Sequence, residues 1–189
     1  TLAVARENET GISEGFNLDE QVSARGDGTG CGQNDFTSPS GVEGVDNQFA
    51  RLLPVIENVG GAAFETLVQN AINEGDLLIL IELSDVDSYE NDGCVGLDVM
   101  YGIGTPYLST ESYVEPWQTY DIDIERPHSR VEEVSIQDGR IEAGPLLFQI
   151  PFAVFDFIFP VDLLDARIRL DLDAKTRTGT GIISGAITV

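Results

Sequence analysis

The sequence predicts an α+β fold, a mostly antiparallel β sheet or sandwich with a pair of N-terminal helices packed on one side. Two periods in the spacing of the apolar residues support this class. Apolar residues recur every three or four positions between 48 and 75, the helical period, and every second position in several segments after 77, the strand period. Helices therefore come early and strands late, an order typical of α+β domains and not of alternating βαβ units.

Both predicted helices precede all the predicted strands. Asp46 is a suitable N-cap for the first, over 48–58, in which Pro54 removes a backbone donor and should kink or shorten the helix. The second has the cleaner pattern and ends before Gly75, a residue that suits the position after a helix C-terminus. Its apolar residues fall at i, i+3, i+4, i+7 and i+8: Phe64, Leu67, Val68, Ala71 and Ile72.

The first predicted strand, 77–83, is almost wholly apolar and is expected to be a central strand buried on both faces. Residues 95–101 and 120–124 alternate apolar and polar side chains, so each predicts a half-buried strand. Four more strands, with Gly-containing turns between some of them, are predicted at 131–136, 146–152, 161–172 and 181–189.

These elements are expected to form one globular domain over residues 31–189, preceded by an extended polar arm over residues 1–30. The chain has 189 residues, and a chain of this size buries about 70% of its unfolded surface, which is enough for one core. The arm is predicted because its apolar residues are single and scattered among Gly, Glu, Asn, Ser and Asp.

The charge of the chain excludes several classes of partner. Its formal net charge is -23, from 33 acidic and 10 basic side chains, and Lys175 is the only lysine. Nucleic-acid binding is excluded, because a phosphate backbone is bound by clustered Lys and Arg. Anionic membrane surfaces are disfavoured for the same reason. No apolar run is long enough to predict a membrane span, which needs about 18 residues with few or no charges.

Both cysteines, Cys31 and Cys94, lie in loop sequences rich in Gly, Asn and Asp rather than in apolar runs. They are predicted to form a disulfide that closes a loop of about 64 residues. A disulfide in a strongly acidic chain indicates an oxidising compartment, so the protein is expected to be secreted, extracellular or at the cell surface. Two free thiols in a cytosolic protein are the alternative.

Residues 85–94, which we call the acidic loop, crowd acidic and amide side chains together directly after a predicted strand. Such groups repel one another unless a cation or solvent separates them, and Ca²⁺ accepts hard oxygen ligands in flexible geometry. The spacing departs from an EF-hand, which needs Gly where Glu90 stands and Glu where Gly96 stands. A disulfide would bring alongside it a second loop, residues 31–47, which we call the polar loop. The predicted Ca²⁺ ligands are Asp85, Asp87, Glu90, Asn91, Asp92, Asp35 and Asp46. A solvated acidic loop without a metal is the alternative.

Paired carboxylates are the only catalytic chemistry that the residues leave open. The pattern Gly-x-Ser-x-Gly at 11–15 lacks the strand and helix of a nucleophile elbow, and His128 is the only histidine. Two carboxylates and a sugar-stacking aromatic residue would suit a secreted carbohydrate-active hydrolase. The candidate groups are Asp121 with Asp123, Glu82 with Asp98, and the aromatic residues Trp117 and Tyr120. Such pairs also arise by chance in so acidic a chain, so no catalytic residue is assigned and a non-enzymatic role is favoured.

The segment 145–164 is unusually dense in phenylalanine, with five between Phe148 and Phe159. Because five rings on a strand and corner cannot all face one way, we expect most of them to belong to the core. The alternative is an apolar patch that binds a lipid, a peptide or a neighbouring subunit.

Two stretches of the sequence carry a resemblance to a known group: CGQNDFTSPSGVEGVDNQFARLLP, at 31–54, and LIELSDVDSYENDGCVGLDVMYGIGTP, at 80–106. They resemble segments of uncharacterised exported or lipoprotein-type proteins of bacteria. The resemblance covers about half of the chain. It implies export, and it implies no catalytic residues, because that group has no assigned activity.

The function expected from the sequence is therefore a secreted or cell-surface binding or structural domain, stabilised by one disulfide and by Ca²⁺. Its partner would be a protein or another cell-surface component, including a second copy of itself. Self-association would occur by strand addition at 181–189 or at 1–5, where apolar residues could pair with a neighbouring strand.

Overall fold

The structure is a computed structural model that describes residues 3–28, 32–60, 64–154 and 157–187, without the side chains of 59, 60, 64, 151–154 and 157–159. Two compact units make up the chain, Leu2–Leu67 and Val68–Val189. Among the described residues, no helix is both long and apolar enough to cross a membrane. The boundary predicted at residue 30, between an arm and a single domain, stays a prediction.

The N-terminal unit is built from a small hairpin, a polar loop and a helix. Strand β1 (Glu7–Glu9) pairs antiparallel with β2 (Ile12–Ser13), and the Ser13 N–H donates to the Thr37 carbonyl. Phe36 and Val45 exchange two backbone hydrogen bonds of 2.9 Å each. These two residues pack with Ala50 in a small buried cluster, which ties the polar loop to the start of the helix.

Helix α1 (Phe49–Gly60) forms where the 3.6-residue period predicts it, and it runs through Pro54 without ending early. Of the two effects predicted for Pro54, the shortening is therefore wrong and the kink stays a prediction. The predicted N-cap is also different, because Asn47 Oδ1 accepts the Ala50 N–H at 3.1 Å and takes that role. The Asp46 carboxylate instead accepts the Leu18 N–H at 2.7 Å. Asp46 and Asn47 are both suitable N-cap residues. Because the Asp46 carboxylate is held by the Leu18 N–H, Asn47 caps the helix.

Helix α2 (Phe64–Glu74) crosses from the first unit into the second. It ends at Gly75, whose backbone φ of +89° is left-handed, as the sequence predicts for the residue after a helix. A Cβ there would lie 2.0 Å from the Gly104 carbonyl oxygen, so only glycine fits. The end of the helix therefore lies against the backbone at Gly104.

The C-terminal unit is a seven-stranded antiparallel sheet, in the order β3-β4-β6-β7-β8-β9, with β5 paired to β4. The predicted α+β class, with helices early and antiparallel strands late, is confirmed. The strands are β3 (Ile79–Ser84), β4 (Asp92–Ile103), β5 (Asp121–Ile122), β6 (Ser129–Gln137), β7 (Arg140–Val154), β8 (Phe157–Asp173) and β9 (Thr178–Ala186).

Several strands are longer than predicted, and two differ in other ways. β3 is an edge strand, not a central one, and its middle residue Ile81 is 39% exposed. The most deeply buried residues of the predicted strand, Leu77 and Leu78, precede β3 in the structure. β5 has two residues rather than five, because it meets β4 only at Gly102 and Ile103.

The core of this unit lies along β4, β6, β7 and β8. Tyr101 and Phe148 are both buried, with ring centroids 6.1 Å apart. The Tyr101 hydroxyl donates to the Gln149 carbonyl and accepts the Gln149 N–H, both at 2.7 Å. The other fully buried side chains of the cluster are Val95, Leu97, Val99, Ile136, Ile141, Ala166 and Ile168. Phe148 is thus a core residue, whereas the other four phenylalanines of its segment lie outside the described side chains.

Candidate functional site

The acidic loop uses its central carboxylate to hold its own backbone. Asp92 Oδ2 accepts the N–H groups of Asp87 (2.6 Å) and Ser88 (3.2 Å), and Oδ1 accepts the N–H of Cys94 (3.2 Å). Hydrogen bonds from these backbone groups lower the pKa of Asp92. Both oxygens of the most enclosed acid in the loop are therefore already occupied by the protein.

The remaining predicted ligands of the acidic loop lie at the surface. Asp85, Asp87, Glu90 and Asn91 are exposed, and Asn91 Oδ1 accepts the Asp138 N–H at 3.1 Å, which ties the loop to the β6–β7 turn. As placed, the described part of the chain contains no group of three or more His, Cys, Asp or Glu side chains that could hold a metal. A Ca²⁺ site in the acidic loop stays a prediction.

The predicted disulfide is not tested by the structure. Cys94 is exposed and forms no disulfide with any residue in the described ranges, while Cys31 lies outside those ranges. The two cysteines also belong to different units of the chain. Their pairing stays a prediction.

The two predicted ligands from the polar loop, Asp35 and Asp46, both belong to the N-terminal unit. Asp35 Oδ2 accepts the Ser23 N–H at 2.5 Å. Asp46 Oδ2 accepts the N–H groups of Leu18 (2.7 Å) and Asp19 (3.3 Å). Burial is the main cause that raises the pKa of Asp46, and the nearby charges of Asp19 and Asp35 add to it. The structure thus places Asp19, which the sequence analysis did not single out, beside two acids that it did.

The candidate pair Glu82 and Asp98 occupies opposite positions on β3 and β4. Asp98 is only 5% exposed. Its Oδ1 lies 2.8 Å from His128 Nε2, and its Oδ2 accepts a hydrogen bond from Arg130 Nη1 at 2.5 Å. Because both carboxylate oxygens are occupied, Asp98 is poorly suited to act as an acid or base. Glu82 is exposed.

Asp98, His128 and Arg130 form a polar network across strands β4 and β6 that the sequence analysis missed. Arg130 also reaches Glu132, at 3.1 Å, and the pairing with Glu132 and Asp98 raises the pKa of Arg130. In the described ranges no hydroxyl or thiol group hydrogen-bonds to His128, so the nucleophile of a catalytic triad is lacking there. The network binds neighbouring strands together.

The second candidate pair, Asp121 and Asp123, lies at and just after β5. Asp123 Oδ2 is 3.3 Å from Arg126 Nε, in a salt bridge three residues apart. Asp121 is exposed, and Tyr120 is half-buried, with its hydroxyl lacking a hydrogen-bond partner. Neither acid has the enclosed setting that a glycosidase acid needs in order to hold its proton at neutral pH.

Residues 105–118, which we call the aromatic loop, present three large aromatic side chains to solvent. Trp117 is 83% exposed, Tyr107 is 79% exposed and Tyr113 is 49% exposed. Trp117 also has a φ of +65°, a left-handed conformation that is a genuine outlier for a bulky residue. A backbone held in this region indicates a segment whose conformation is fixed by its surroundings.

Hydrogen bonds within the aromatic loop supply that constraint. The Gln118 side chain accepts the Tyr107 N–H (2.6 Å) and donates to the carbonyls of Tyr107 (3.0 Å) and Glu115 (2.6 Å). Across the loop, the Glu115 N–H donates to the Tyr107 carbonyl at 2.9 Å, and Leu108 bridges to Val114. The exposed rings therefore stand on a backbone that is already ordered.

Comparison with known proteins adds no assignment to this geometry. The chain matches no protein-family model, no curated protein and no solved structure. The resemblance to exported or lipoprotein-type bacterial proteins therefore stays a prediction.

Proposed function

We propose that the protein is a secreted or cell-surface binding domain without enzymatic activity, which recognises a protein partner through the aromatic loop. The observation that carries this proposal is the 83% exposure of Trp117 on a backbone held at positive φ. An exposed tryptophan adds nothing to the core, and the unusual backbone beneath it costs about 1–3 kcal/mol. A partner that buries the ring would offset that cost.

The composition of the aromatic loop suits a protein partner. Trp and Tyr are enriched among the residues that contribute most to protein interfaces, because each buries a large area with few rotatable bonds. The hydrogen bonds of Gln118 order the loop in advance, which lowers the entropy lost on binding. The exposed rings thus have the chemistry and the rigidity of an interface centre.

The charge around the aromatic loop specifies the kind of partner. Glu111 and Glu115 within the loop and Asp121 and Glu125 beyond it are all exposed, on a chain of net charge -23. An acidic rim attracts a surface that carries Lys and Arg and repels an acidic one. Arg side chains also stack on Trp and Tyr rings. We therefore expect a partner with exposed basic residues.

The hydrolase alternative has less support. A glycosidase acid needs a raised pKa beside the sugar-binding aromatic residue. Of the candidate acids nearest to Trp117 in the sequence, Asp121 is exposed and Asp123 is held by Arg126.

The test uses Trp117 as its own reporter, because it is the only tryptophan of the chain. Peptides selected from a random display library on the native chain should be rich in Arg, Lys and aromatic residues, and should shift the tryptophan emission to shorter wavelength. Trp117→Ala should weaken their binding at least about ten-fold, the loss of a typical interface anchor. The matched control is Tyr89→Ala, which removes an exposed aromatic residue outside the loop. Equal binding by both variants, or an emission shift with soluble polysaccharides only, would contradict the proposal.

Self-association by strand addition is a second candidate function, favoured by the position and composition of β9. This strand is an edge of the sheet, and its outer side is unpaired within the described ranges. Residues 178–187 contain no charged side chain and no proline, the usual protections of an edge. Since two copies of a chain of charge -23 repel each other, added salt should favour such a dimer.

Sedimentation equilibrium in low and molar NaCl tests the strand addition. Thr180→Lys places a charge on the edge strand β9 and should abolish a dimer that the native chain forms at high salt. The added positive charge lowers the net repulsion between copies, so loss of the dimer would be due to the edge itself. Thr10→Lys, an exposed substitution of the same kind in the N-terminal unit, is the control and should still dimerise. A native chain that is monomeric at all salt concentrations would exclude this candidate.

A further inference from the structure

Three short segments of the N-terminal unit converge around three carboxylates, Asp19, Asp35 and Asp46, which we call the N-terminal carboxylate cluster. The segments 35–36 and 45–46 are joined by the backbone bonds between Phe36 and Val45. The segment 18–23 is joined to them by the Leu18 and Asp19 amides on Asp46 and by the Ser23 amide on Asp35. Residues far apart in sequence are therefore held in one place by the backbone.

In each of the three carboxylates, one oxygen is fixed by backbone N–H groups. Asp19 Oδ1 accepts the Gln21 N–H at 2.9 Å. Asp35 Oδ2 is held by Ser23, and Asp46 Oδ2 by Leu18 and Asp19. These bonds set the direction of the second oxygen of each carboxylate.

The second oxygen of each carboxylate is buried and has no partner. Asp19 Oδ2, Asp35 Oδ1 and Asp46 Oδ1 are shielded from solvent and accept no hydrogen bond. Within the described ranges, none of the three acids forms a salt bridge. Burying a carboxylate oxygen without a donor or a cation is among the costliest arrangements in a protein.

An independent observation at the same place is the side chain of Ser23. Ser23 is only 5% exposed, and its hydroxyl has no hydrogen-bond partner. It is doubly joined to Asp35, because the Ser23 N–H donates to Asp35 Oδ2 and the Asp35 N–H donates to the Ser23 carbonyl at 3.1 Å. A buried hydroxyl without a partner, beside buried carboxylate oxygens that also lack one, indicates a missing ligand.

We propose that the N-terminal carboxylate cluster binds one Ca²⁺ ion through Asp19 Oδ2, Asp35 Oδ1 and Asp46 Oδ1, with the Ser23 hydroxyl as a further ligand. As placed, the three carboxylates do not form a group that could hold a metal, so Ca²⁺ binding requires their free oxygens to move closer together. Ca²⁺ takes six to eight oxygens, so hydroxyl, carbonyl and water oxygens complete its shell, and it tolerates irregular geometry. Each acid offers one carboxylate oxygen that has no partner in the protein, which suits that requirement.

The donor set selects Ca²⁺ over other divalent cations. All four proposed ligand atoms are hard oxygens, and the segments 17–23, 35–36 and 44–46 contain no His or Cys to bind zinc or copper. Mg²⁺ is smaller, demands near-ideal octahedral geometry and gives up its water reluctantly, so a buried irregular site disfavours it.

The experiment is thermal unfolding of the EDTA-treated protein with and without millimolar Ca²⁺, with Mg²⁺ as the control for charge screening. The native chain should gain several degrees in Tm with Ca²⁺ and much less with Mg²⁺. The double variant Asp35→Asn with Asp46→Asn keeps oxygens for the backbone N–H groups but removes two charges, and it should lose that gain. In EDTA this variant should be at least as stable as the native chain, since it no longer buries two unpaired charges.

The matched control is Asp85→Asn with Asp87→Asn, which makes the same change of net charge in the acidic loop. This variant should keep the Ca²⁺ gain, and isothermal titration should give it the native Kd, whereas Asp35→Asn with Asp46→Asn should weaken Ca²⁺ at least ten-fold. No Ca²⁺-specific gain in the native chain would overturn the proposal. So would a gain that survives in Asp35→Asn with Asp46→Asn and disappears in the control, which would locate the ion in the acidic loop.

Discussion

The acidic loop and the N-terminal carboxylate cluster are both rich in acids, yet they differ in how the carboxylate oxygens are hydrogen-bonded. In the acidic loop, Asp92 accepts three backbone N–H groups on its two oxygens, and the neighbouring acids point into water. In the cluster, each carboxylate is half satisfied and its second oxygen is buried without a partner. The density of acids along the sequence therefore does not reveal which set needs a cation.

This difference follows from the sequence separation between each carboxylate and the N–H groups that it accepts. Asp92 is held by residues two to five positions away, so a single turn closes on itself. Asp46 is held by residues 27 and 28 positions away, and Asp35 by a residue 12 positions away. When segments distant in sequence pack together, they bury the side chains between them. A carboxylate buried in this way is shielded from solvent.

A third acidic set shows what happens when the protein supplies the cation itself. Glu57 on α1 and Glu65 on α2 share the guanidinium of Arg6, with N–O distances of 2.7 and 2.6 Å. All three residues belong to the N-terminal unit. The same unit thus contains one pair of acids bridged by an arginine and one cluster in which no described basic side chain forms a salt bridge.

Amide hydrogen exchange with and without Ca²⁺ should show the largest difference between the two regions. At 100 times its Kd, a ligand adds about 2.7 kcal/mol to the stability of the state that binds it. The amides of Leu18, Asp19 and Ser23, which donate to the cluster, should then exchange about 100-fold more slowly. The amides of Asp87 and Ser88, which donate to Asp92, should be unchanged.

Two other exchange patterns would contradict the proposed location of Ca²⁺. Equal slowing in both regions would indicate general screening of negative charge, and the Mg²⁺ sample should then match the Ca²⁺ sample. Slowing confined to Asp87 and Ser88 would assign the cation to the acidic loop. Either pattern would remove the distinction between the two sets of acids.

Much of the fold could be predicted from the sequence, because periodicity is a local signal. The early helices and late antiparallel strands follow directly from it. The edge position of β3 could not be predicted, since an apolar run such as 77–83 is equally compatible with a buried approach to a strand and with the strand itself. β7 and β8 are also longer than the predicted strands at 146–152 and 161–172, and Pro151 and Pro160 lie opposite each other within their hairpin.

Less of the candidate sites could be predicted. Asp35 and Asp46 were selected for their loop, but Asp19 and Ser23 lie in a polar segment where no spacing marks them. Asp98 and His128 are 30 residues apart and meet only because β4 pairs with β6. The one signal that could have suggested the aromatic loop is its content of Tyr and Trp between two strands, and it does not show that the rings are exposed.

The smallest effect we expect is that of replacing Arg6. This replacement tests whether the Arg6 guanidinium stabilises the unit by pairing with Glu57 and Glu65, as Ca²⁺ is proposed to do by binding the cluster. Hydrogen bonds from Arg6 lower the pKa of both glutamates below the ordinary 4.5. A carboxyl with a lowered folded pKa adds stability above its unfolded pKa and loses it as the pH falls through the folded pKa. Arg6→Gln should therefore lower Tm by a few degrees at pH 7, and the difference from the native chain should close as the pH falls below about 4.5.

Thermal unfolding from pH 7 to pH 2.5, in EDTA so that the cluster stays without Ca²⁺, checks this dependence. Arg25→Gln makes the same change of charge at an exposed position of the same unit and should leave Tm nearly unchanged at every pH. If Arg6→Gln and Arg25→Gln behave alike, the Arg6 pairs are surface contacts screened by solvent. A difference that appears only for Arg6→Gln and closes in acid would show that the Arg6 guanidinium stabilises this unit by pairing with two half-buried acids, as Ca²⁺ is proposed to do for the cluster.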